Sequence, residues 1–474
     1  MATLEALPLI IQGGMGAAVS NWVLAKATAL RGQLGVVSGT GIDTVLVRRL
    51  QDGDAGGHLR RAMARFPIPG AVGEILQKYF LPNGRPGGTP YKALPLHQAP
   101  MGRPRQLLTM VANFVEVHLA KEGHAGPIGL NLLAKIQLPT LASLYGAMLA
   151  RVDYVLMGAG IPREIPGALD RLAGHEPAAI KLDVEGLPPG ASARVELDPR
   201  EFWTETPPRL PRPRFLPIIA SNLLATMLTR KANGQVDGFV IEGPTAGGHN
   251  APPRGEARFN ERGEPTYGER DEVDLAKIRE LGLPFWVAGG AGSPAALRKA
   301  LAAGAAGIQV GTLFAFCEES GLKAEYKREV LASARRGTVD VLTDARASPT
   351  GYPFKVVRWA DGASADGPRA RVCDMGYLRT PFHQEGGRIG FRCPSEPVEQ
   401  YVAKGGAVED TVGRRCLCNA LMANVGHAQV RSSGTAEPPI LTAGDDLKGI
   451  GSFLGDRESY TAADVIEYLT REAA

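Results

Sequence analysis

One stretch of the chain, from Asp237 to His249, combines residue types that could perform chemistry. Residues 236–242 are an apolar, β-branched run that predicts a short buried strand. The backbone then turns through Gly247 and Gly248, whose main-chain N–H groups can approach an anion without a Cβ atom in the way. His249 follows directly, and imidazole is the side chain best suited to moving a proton near neutral pH. The stretch predicts an active-site loop, although such a motif by itself is more often an ordinary turn.

The elements around this loop follow a repeated pattern of strand and helix. We predict eight such strands, at residues 7–12, 34–38, 128–132, 153–157, 215–220, 236–242, 284–288 and 305–310. Residues 178–183 and 193–197 are predicted to pair as an added hairpin. We favour residues 215–220 as the fifth barrel strand, because a helix follows them at once. Glycine-rich turns at the strand ends predict an α/β fold, a (β/α)8 barrel with its chemistry at the carboxyl face. A doubly wound sheet is the alternative, but the first turn lacks the GxGxxG spacing that it needs.

Two segments exceed what a compact barrel requires. Residues 52–125, after the second strand, are too long for a plain connection, and we predict a lid over the barrel mouth or an oligomer contact. Residues 356–474 are predicted to form a C-terminal extension packed on a barrel unit of residues 1–355. Within it, Thr461 and Asp464 have the spacing of a capping box, which predicts a last helix.

Composition excludes several classes of protein. The chain of 474 residues is 44% hydrophobic and 22% charged, which is typical of a soluble protein with a sizeable core. A net charge of +4 without a long basic tract predicts no nucleic-acid partner, and no apolar run is long enough for a membrane helix. The first residues do not resemble a signal peptide, and five cysteines, all beyond residue 316, do not resemble a secreted disulfide framework. We therefore expect a cytoplasmic location.

Taken together, the motifs resemble those of nitronate monooxygenases. The same superfamily includes FMN-dependent enoyl-acyl-carrier-protein reductases and trans-acting enoyl reductases of synthases. The resemblance covers roughly residues 7–355 and rests on segments in the expected order, namely Ile10–Gly16, Gly129–Asn131, Gly158–Pro162, Ala246–His249, Ala288–Gly290, Gln309–Thr312 and Ser348–Pro353.

The resemblance implies FMN at the barrel mouth. The residues implied along its ring system are Gln12, Gly13, Gly14, Met15 and Asn131. The residues implied around its phosphate are Gly247, Gly248, Gly289, Gly290, Gly311 and Thr312. Lys181 either places a positive charge near flavin N1 or is a solvated lysine at a strand end.

His249 matches the family's catalytic histidine. The resemblance implies oxidation of alkyl nitronates by O2 through a flavin semiquinone, with His249 taking a proton next to the nitro group or orienting the nitronate. The alternative is an NAD(P)H-dependent enoyl reductase acting on acyl-carrier-protein thioesters, which the long insertion and tail favour. The non-enzymatic alternative is a flavin-free binding subunit of a synthase.

Four cysteines lie in the C-terminal extension, at Cys373, Cys393, Cys416 and Cys418. Four thiolates can bind Zn²⁺ or an iron–sulfur cluster, so these residues are a candidate metal site. Their spacing is not that of paired CxxC motifs, and thiols buried in a core are the alternative.

Overall fold

The computed structural model describes residues 7–205, 207–359, 369–431 and 433–471, so the first six residues of the predicted barrel unit and parts of the extension lie outside the described chain. The strands are β1 (Ile10–Gln12), β2 (Gly35–Ser38), β3 (Ile128–Leu133), β4 (Tyr154–Gly158), β5 (Ala178–Leu182), β6 (Ala193–Leu197), β7 (Arg214–Ile219), β8 (Phe239–Glu242), β9 (Phe285–Ala288), β10 (Gly307–Val310), β11 (Asp340–Asp344), β12 (Phe354–Arg358), β13 (Thr380–His383) and β14 (Ile389–Arg392).

Eight of these strands form one parallel sheet in the order β1-β10-β9-β8-β7-β4-β3-β2. The two outer strands of this order also meet, because Leu34 N donates to Ile10 O at 3.1 Å and Gln12 N donates to Leu34 O at 3.0 Å. The sheet is therefore closed, which confirms the predicted (β/α)8 barrel and excludes the doubly wound alternative. β7 is the fifth barrel strand, while β5 and β6 pair as an antiparallel hairpin outside the barrel, both as predicted.

Side chains that alternate along the strands fill the inside of the barrel. A separate buried cluster contains one or two residues from most strands, as expected for inward-pointing positions with a period of two. Its members are Ile11, Leu34, Val36, Tyr154, Leu156, Leu216, Val240, Trp286 and Ala288. The barrel is thus a packed core, and only its carboxyl end is open to a ligand.

Helices surround the barrel and cover the outward faces of the strands. The helices of the described chain are α1 (Trp22–Ala29), α2 (Ile42–Gln51), α3 (His58–Met63), α4 (Ala71–Tyr79), α5 (Arg103–Lys121), α6 (Thr140–Leu149), α7 (Ile165–Ala173), α8 (Asn222–Lys231), α9 (Leu275–Arg279), α10 (Pro294–Ala302), α11 (Thr312–Ala315), α12 (Ala324–Arg335), α13 (Val398–Ala403), α14 (Leu417–Asn424), α15 (Ile450–Leu454) and α16 (Ala462–Thr470). None of the helices in the described parts of the chain is long and apolar enough to cross a membrane.

The insertion at residues 52–125 contributes a helix to the barrel's own outer layer. Its last helix, α5, is buried along most of its length and packs against α1, α2 and α6. The shorter α3 and α4 lie on the outside of α5. Whether this segment also serves as a lid or an oligomer contact stays a prediction.

The C-terminal extension completes the ring of helices. α16 packs against both α1 and α10, in the place where the helix after the eighth strand belongs. The capping box of Thr461 and Asp464 begins this helix, as predicted. Tyr460 donates its hydroxyl proton to Leu313 O at 2.7 Å, which joins the extension to the chain after β10. The predicted boundary at residues 355 and 356 falls inside β12, so the two parts share a strand.

A buried ion cluster ties the insertion and the extension to the barrel. The carboxylate of Asp43 on α2 lies 2.8 Å from Arg105 on α5 and 3.5 Å from His97 in the insertion. It also accepts a hydrogen bond from Tyr377 of the extension, and the hydroxyl of Tyr377 lies 2.7 Å from Thr44 Oγ1. Although burial opposes ionisation, the charge of Arg105 and these hydrogen bonds hold the pKa of Asp43 well below its usual range.

Replacing Asp43 by Ala should destabilise the protein by about 3–5 kcal/mol, because Arg105 would be left buried without its counter-charge. Thermal unfolding followed by circular dichroism measures the effect. Glu122→Ala is the matched control, since Glu122 forms a solvent-exposed ion pair with Arg61 at 2.7 Å and should change the melting temperature little. Equal melting temperatures for Asp43→Ala and the unmodified protein would remove this cluster from the stability of the fold.

Candidate active site

A cavity of about 200 Å³ lies at the carboxyl ends of the barrel strands. Most of the residues implied by the motifs line it, although they come from turns that are far apart in the chain. They are Gly13, Gly14, Met15, Asn131, Gly247, Gly248, His249, Gly289, Gly290, Gly311 and Thr312. The closed parallel barrel brings them together because all of its strands end at this face.

Glycine turns leave main-chain donors free along one wall. Among the described residues, no acceptor takes a hydrogen bond from the N–H of Gly247, Gly290 or Gly311. At Gly248, with φ of 83°, a Cβ atom would have no neighbour within 4 Å, so the space beside this turn is open. Free amides beside open space make a site for an anion such as a phosphate group.

His249 directly follows the turn of Gly247 and Gly248, and residues beyond the eighth barrel strand hold its side chain. Its Nε2 atom is 2.7 Å from Ser348 Oγ, and its ring packs edge-on against Phe354, with centroids 4.8 Å apart. Burial, together with the positive charge of Lys135, lowers the pKa of His249 to about 4. The imidazole is therefore uncharged at neutral pH.

The strand β12 fixes the histidine loop from outside. Lys355 N donates to Gly248 O at 2.9 Å, and Asn250 N donates to Pro353 O at 2.9 Å. Ser348, which precedes β12, also lies 2.8 Å from Thr350 Oγ1. The sequence motif at residues 348–353 had shown the resemblance, but it did not indicate that Ser348 contacts His249.

The C-terminal extension supplies part of the cavity wall, which the sequence did not predict. Thr442 Oγ1 accepts a hydrogen bond from Gly248 N at 2.7 Å, and Gly444 N donates to Thr312 Oγ1 at 3.0 Å. Thr312 in turn donates to the carboxylate of Asp446. Burial raises the pKa of Asp446, although the hydrogen bond from Thr312 opposes this shift. No spacing rule connects residues 442–446 with a barrel turn so far earlier in the chain, so no sequence signal could have found them.

Glu242 also lines the cavity, although the sequence motifs did not include it. It is the last residue of β8, its side chain faces the cavity, and burial alone raises its pKa to about 8. A carboxyl group at the end of an apolar strand was the signal in the sequence that could have found it.

Gln12 does not line the cavity, contrary to its predicted place beside the ring system. Its side chain is fully buried and turns away, where Ser20 Oγ lies 2.8 Å from Nε2 and Val36 N donates to Oε1 at 2.9 Å. Ser20 also donates to Gly13 O at 2.7 Å. Gln12 and Ser20 therefore position the turn that contains Gly13, Gly14 and Met15.

Lys181 is also outside the cavity. It lies on the β5–β6 hairpin with a side chain that is 65% exposed, and its ammonium group pairs with Asp183 at 3.1 Å. The placement near flavin N1 is therefore wrong, and the alternative of a solvated lysine is correct.

The four C-terminal cysteines converge on one small cavity, together with Arg379 and Glu396. Burial raises the pKa of Cys416 to about 11, and a hydrogen bond with Cys393 together with burial raises the pKa of Cys373, so both of these thiols favour the protonated form. Nowhere in the described residues are three or more His, Cys, Asp or Glu side chains arranged to hold a metal ion. The structure gives the predicted zinc or iron–sulfur site no support, and the cysteines are free thiols.

Comparison with known proteins places part of this site in a family. Residues 215–348, which contain His249 and the strands β8 to β11, match the model of the nitronate monooxygenase family. A nitronate monooxygenase from Pseudomonas aeruginosa is 34% identical over 120 residues, which cover 25% of this chain and 32% of that protein. The match thus spans about a third of the length of the curated relative.

Solved structures are similar over a longer part of the chain. FabK from Thermotoga maritima has 16% identity and a TM-score of 0.48, with coverage of 98% of this chain and 92% of that chain. A nitroalkane oxidase from Streptomyces ansochromogenes has 18% identity and a TM-score of 0.44, with coverage of 98% and 95%. Sequence identities and TM-scores this low do not assign a reaction. The barrel is established by the strand order of this chain itself. The family match over residues 215–348 confirms the resemblance seen in the motifs of this segment, which is similar to nitronate monooxygenases.

Proposed function

We propose that the chain is an FMN-dependent oxidoreductase that oxidises alkyl nitronates with O2. The observation that carries this proposal is that His249, whose pKa is lowered by burial, lines the same cavity as the free main-chain amides of Gly247, Gly290 and Gly311. The family match over residues 215–348 supports the choice of reaction class.

The residues of the cavity fit a flavin nucleotide. Asn131 and Gln309 line the cavity, and their side-chain oxygens are buried without a hydrogen-bond partner among the described residues, so these residues suit the polar edge of a ring ligand. The free amides of Gly247, Gly290 and Gly311 suit a phosphate. Asp446 accepts a hydrogen bond from Thr312 Oγ1, and burial raises its pKa, which weakens the repulsion that an ionised carboxylate would exert on a phosphate.

Bound FMN would supply the electron transfer, and the protein would bind, orient and exclude water. Gly13, Gly14 and Met15 would lie along the ring, with Asn131 hydrogen-bonding to it. The turns after β8, β9 and β10 would hold the phosphate. The apolar side chains of Val19, Leu322, Phe354 and Leu421 line the cavity and would limit the access of water to the bound ring.

His249 is better suited to orienting an anionic nitronate than to removing a proton from a neutral nitroalkane. A base whose conjugate acid has a pKa of about 4 accepts protons poorly at neutral pH. In the proposed arrangement, Ser348 donates its hydroxyl proton to Nε2, which leaves the N–H on Nδ1 to donate to a nitronate oxygen. Ser348 can do so because its oxygen accepts a hydrogen bond from Thr350 N at 3.2 Å.

Replacing His249 by Ala should leave FMN bound and lower the turnover of alkyl nitronates by about 100-fold, because one oriented hydrogen-bond donor is lost. Ser348→Ala should lower turnover by about tenfold, since His249 is kept but its tautomer is no longer fixed. Steady-state kinetics and the flavin absorbance of the purified variants measure both effects. Near-normal turnover in His249→Ala would remove this residue from the mechanism.

The pH dependence provides a separate test of the charge on His249. For the FMN-loaded enzyme with preformed nitronate, kcat/KM should stay level from pH 7 down to pH 5, because His249 remains neutral until the pH approaches about 4. A loss of activity with a midpoint near 6.5, the ordinary pKa of histidine, would contradict this assignment.

An anaerobic titration of the flavin-loaded protein distinguishes the two redox reactions. Alkyl nitronate should reduce the flavin and bleach its absorbance, while NADH and NADPH should leave the absorbance unchanged. Rapid bleaching by a pyridine nucleotide would favour the enoyl reductase instead. A protein that is colourless and does not bind added FMN would refute the flavoenzyme proposal and favour the binding-subunit alternative.

A further inference from the structure

The cavity lining has no cationic side chain for an anionic substrate. None of the described lining residues is Lys or Arg, and the titratable ones are Glu242, His249 and Asp446. His249 is uncharged above about pH 4, because burial and the charge of Lys135 lower its pKa. The two acids attract no anion in either protonation state. Apart from main-chain amides, a positive charge for a nitronate must therefore come from a residue outside the lining.

Lys135 places a cation beside this cavity. It lies in the turn after β3, two residues beyond Leu133, which lines the cavity. The turn is fixed to the cavity wall, because Ala134 N donates to the oxygen of Gly158, another lining residue, at 2.8 Å. Among the described residues, Lys135 is also the only one whose charge contributes to the shift in the pKa of His249. The positive charge of Lys135 therefore acts on the imidazole inside the cavity.

Tyr352 contacts both Lys135 and His249. The Nζ atom of Lys135 lies 5.0 Å from the centroid of the Tyr352 ring. The same ring stands edge-on to the imidazole of His249, with centroids 6.5 Å apart. Because the face of an aromatic ring attracts an ammonium group, this contact keeps the cation close to His249.

The ammonium group of Lys135 has no counter-charge within the described chain. The side chain is exposed, and no described residue forms a hydrogen bond or an ion pair with its Nζ atom. Lys181, by contrast, pairs with Asp183 at 3.1 Å. A nearby carboxylate cancels much of the attraction that a lysine exerts on an approaching anion, whereas an unpaired ammonium group retains it.

We propose that Lys135 is a positioning residue for the anionic substrate, which its ammonium group attracts to the mouth of the cavity and keeps close to His249. The inference rests on the proposed oxidation of nitronates and adds a residue that the sequence motifs did not include. His249 would orient the nitronate through Nδ1, and Lys135 would supply the positive charge that the lining lacks. A neutral nitroalkane gains no such attraction, so Lys135 would also favour the anion over its conjugate acid.

Steady-state kinetics of the FMN-loaded, full-length protein with an alkyl nitronate tests this role. Lys135→Gln should raise KM about fivefold and change kcat by less than about twofold, because the lost charge attracts the substrate and takes no part in its oxidation. Lys135→Arg keeps the charge and should restore KM to within about twofold of the unmodified value. Lys181→Gln is the matched control, since it removes the same charge from an exposed, paired lysine and should leave both parameters unchanged.

The salt dependence separates an electrostatic role from a structural one. In the unmodified protein, kcat/KM should fall as NaCl is raised from about 20 mM to about 300 mM, because salt screens the attraction between Lys135 and the substrate. The fall should be smaller in Lys135→Gln and unchanged in Lys181→Gln. Equal salt dependence in the unmodified protein and Lys135→Gln would contradict the proposal.

Nitrate provides a measurement that requires no turnover, because it is a planar oxyanion with the same charge as the nitronate group. Its Kd for the FMN-loaded protein is measured from the change in flavin absorbance at constant ionic strength. The Kd should rise about fivefold in Lys135→Gln and stay unchanged in Lys181→Gln.

The possible failures have different meanings. An unchanged KM and nitrate Kd in Lys135→Gln, or an equal rise in Lys181→Gln, would overturn the role of Lys135 and leave the proposed function standing. Loss of bound FMN in Lys135→Gln alone would place this lysine at the flavin and would also overturn the inference. If the unmodified protein does not oxidise nitronates, the proposed function is overturned, and the nitrate titration alone decides whether Lys135 attracts an anion.

Discussion

The contact on which the site depends is the pairing of β1 with the start of β2 through Ile10, Gln12 and Leu34. This pairing closes a parallel sheet, and closure arranges the carboxyl ends of the strands, which share one face because the strands are parallel, in a ring. Turns that are separated by more than 200 residues, such as those containing Gly14 and Gly247, thereby share one cavity. An open sheet with the same strands would have spread these turns along an edge.

The regions outside the barrel are part of its architecture. α5, from the long insertion, and α16, from the extension, both occupy the helical layer. The buried cluster around Asp43 joins the insertion, the barrel and the extension with charged hydrogen bonds. Residues 442–446 then reach the mouth of the barrel, where Thr442 holds Gly248 and Asp446 holds Thr312. The extension and the turns of the barrel therefore line the same cavity.

The cavity combines groups that burial keeps neutral with main-chain donors that remain free. His249 is uncharged because its pKa is lowered, and Glu242 is uncharged because its pKa is raised. Both shifts have the same physical cause, since a buried site of low dielectric disfavours the charged form of an acid and of a base alike. A site of this kind can bind a flat polar ring and an anion through hydrogen bonds, with no lysine or arginine in its described lining.

The sequence by itself determined the barrel, the hairpin outside it and most of the glycine turns, because strand periodicity and turn residues are local properties of the chain. It also singled out His249. Only the tertiary structure decided that Gln12 turns away from the cavity, that Lys181 is solvated, and that Ser348 and Asp446 reach the site. Side-chain direction and contacts between distant segments depend on packing, which no local pattern contains. For the same reason, the sequence showed the four cysteines but could not show that their side chains lack a metal-binding arrangement.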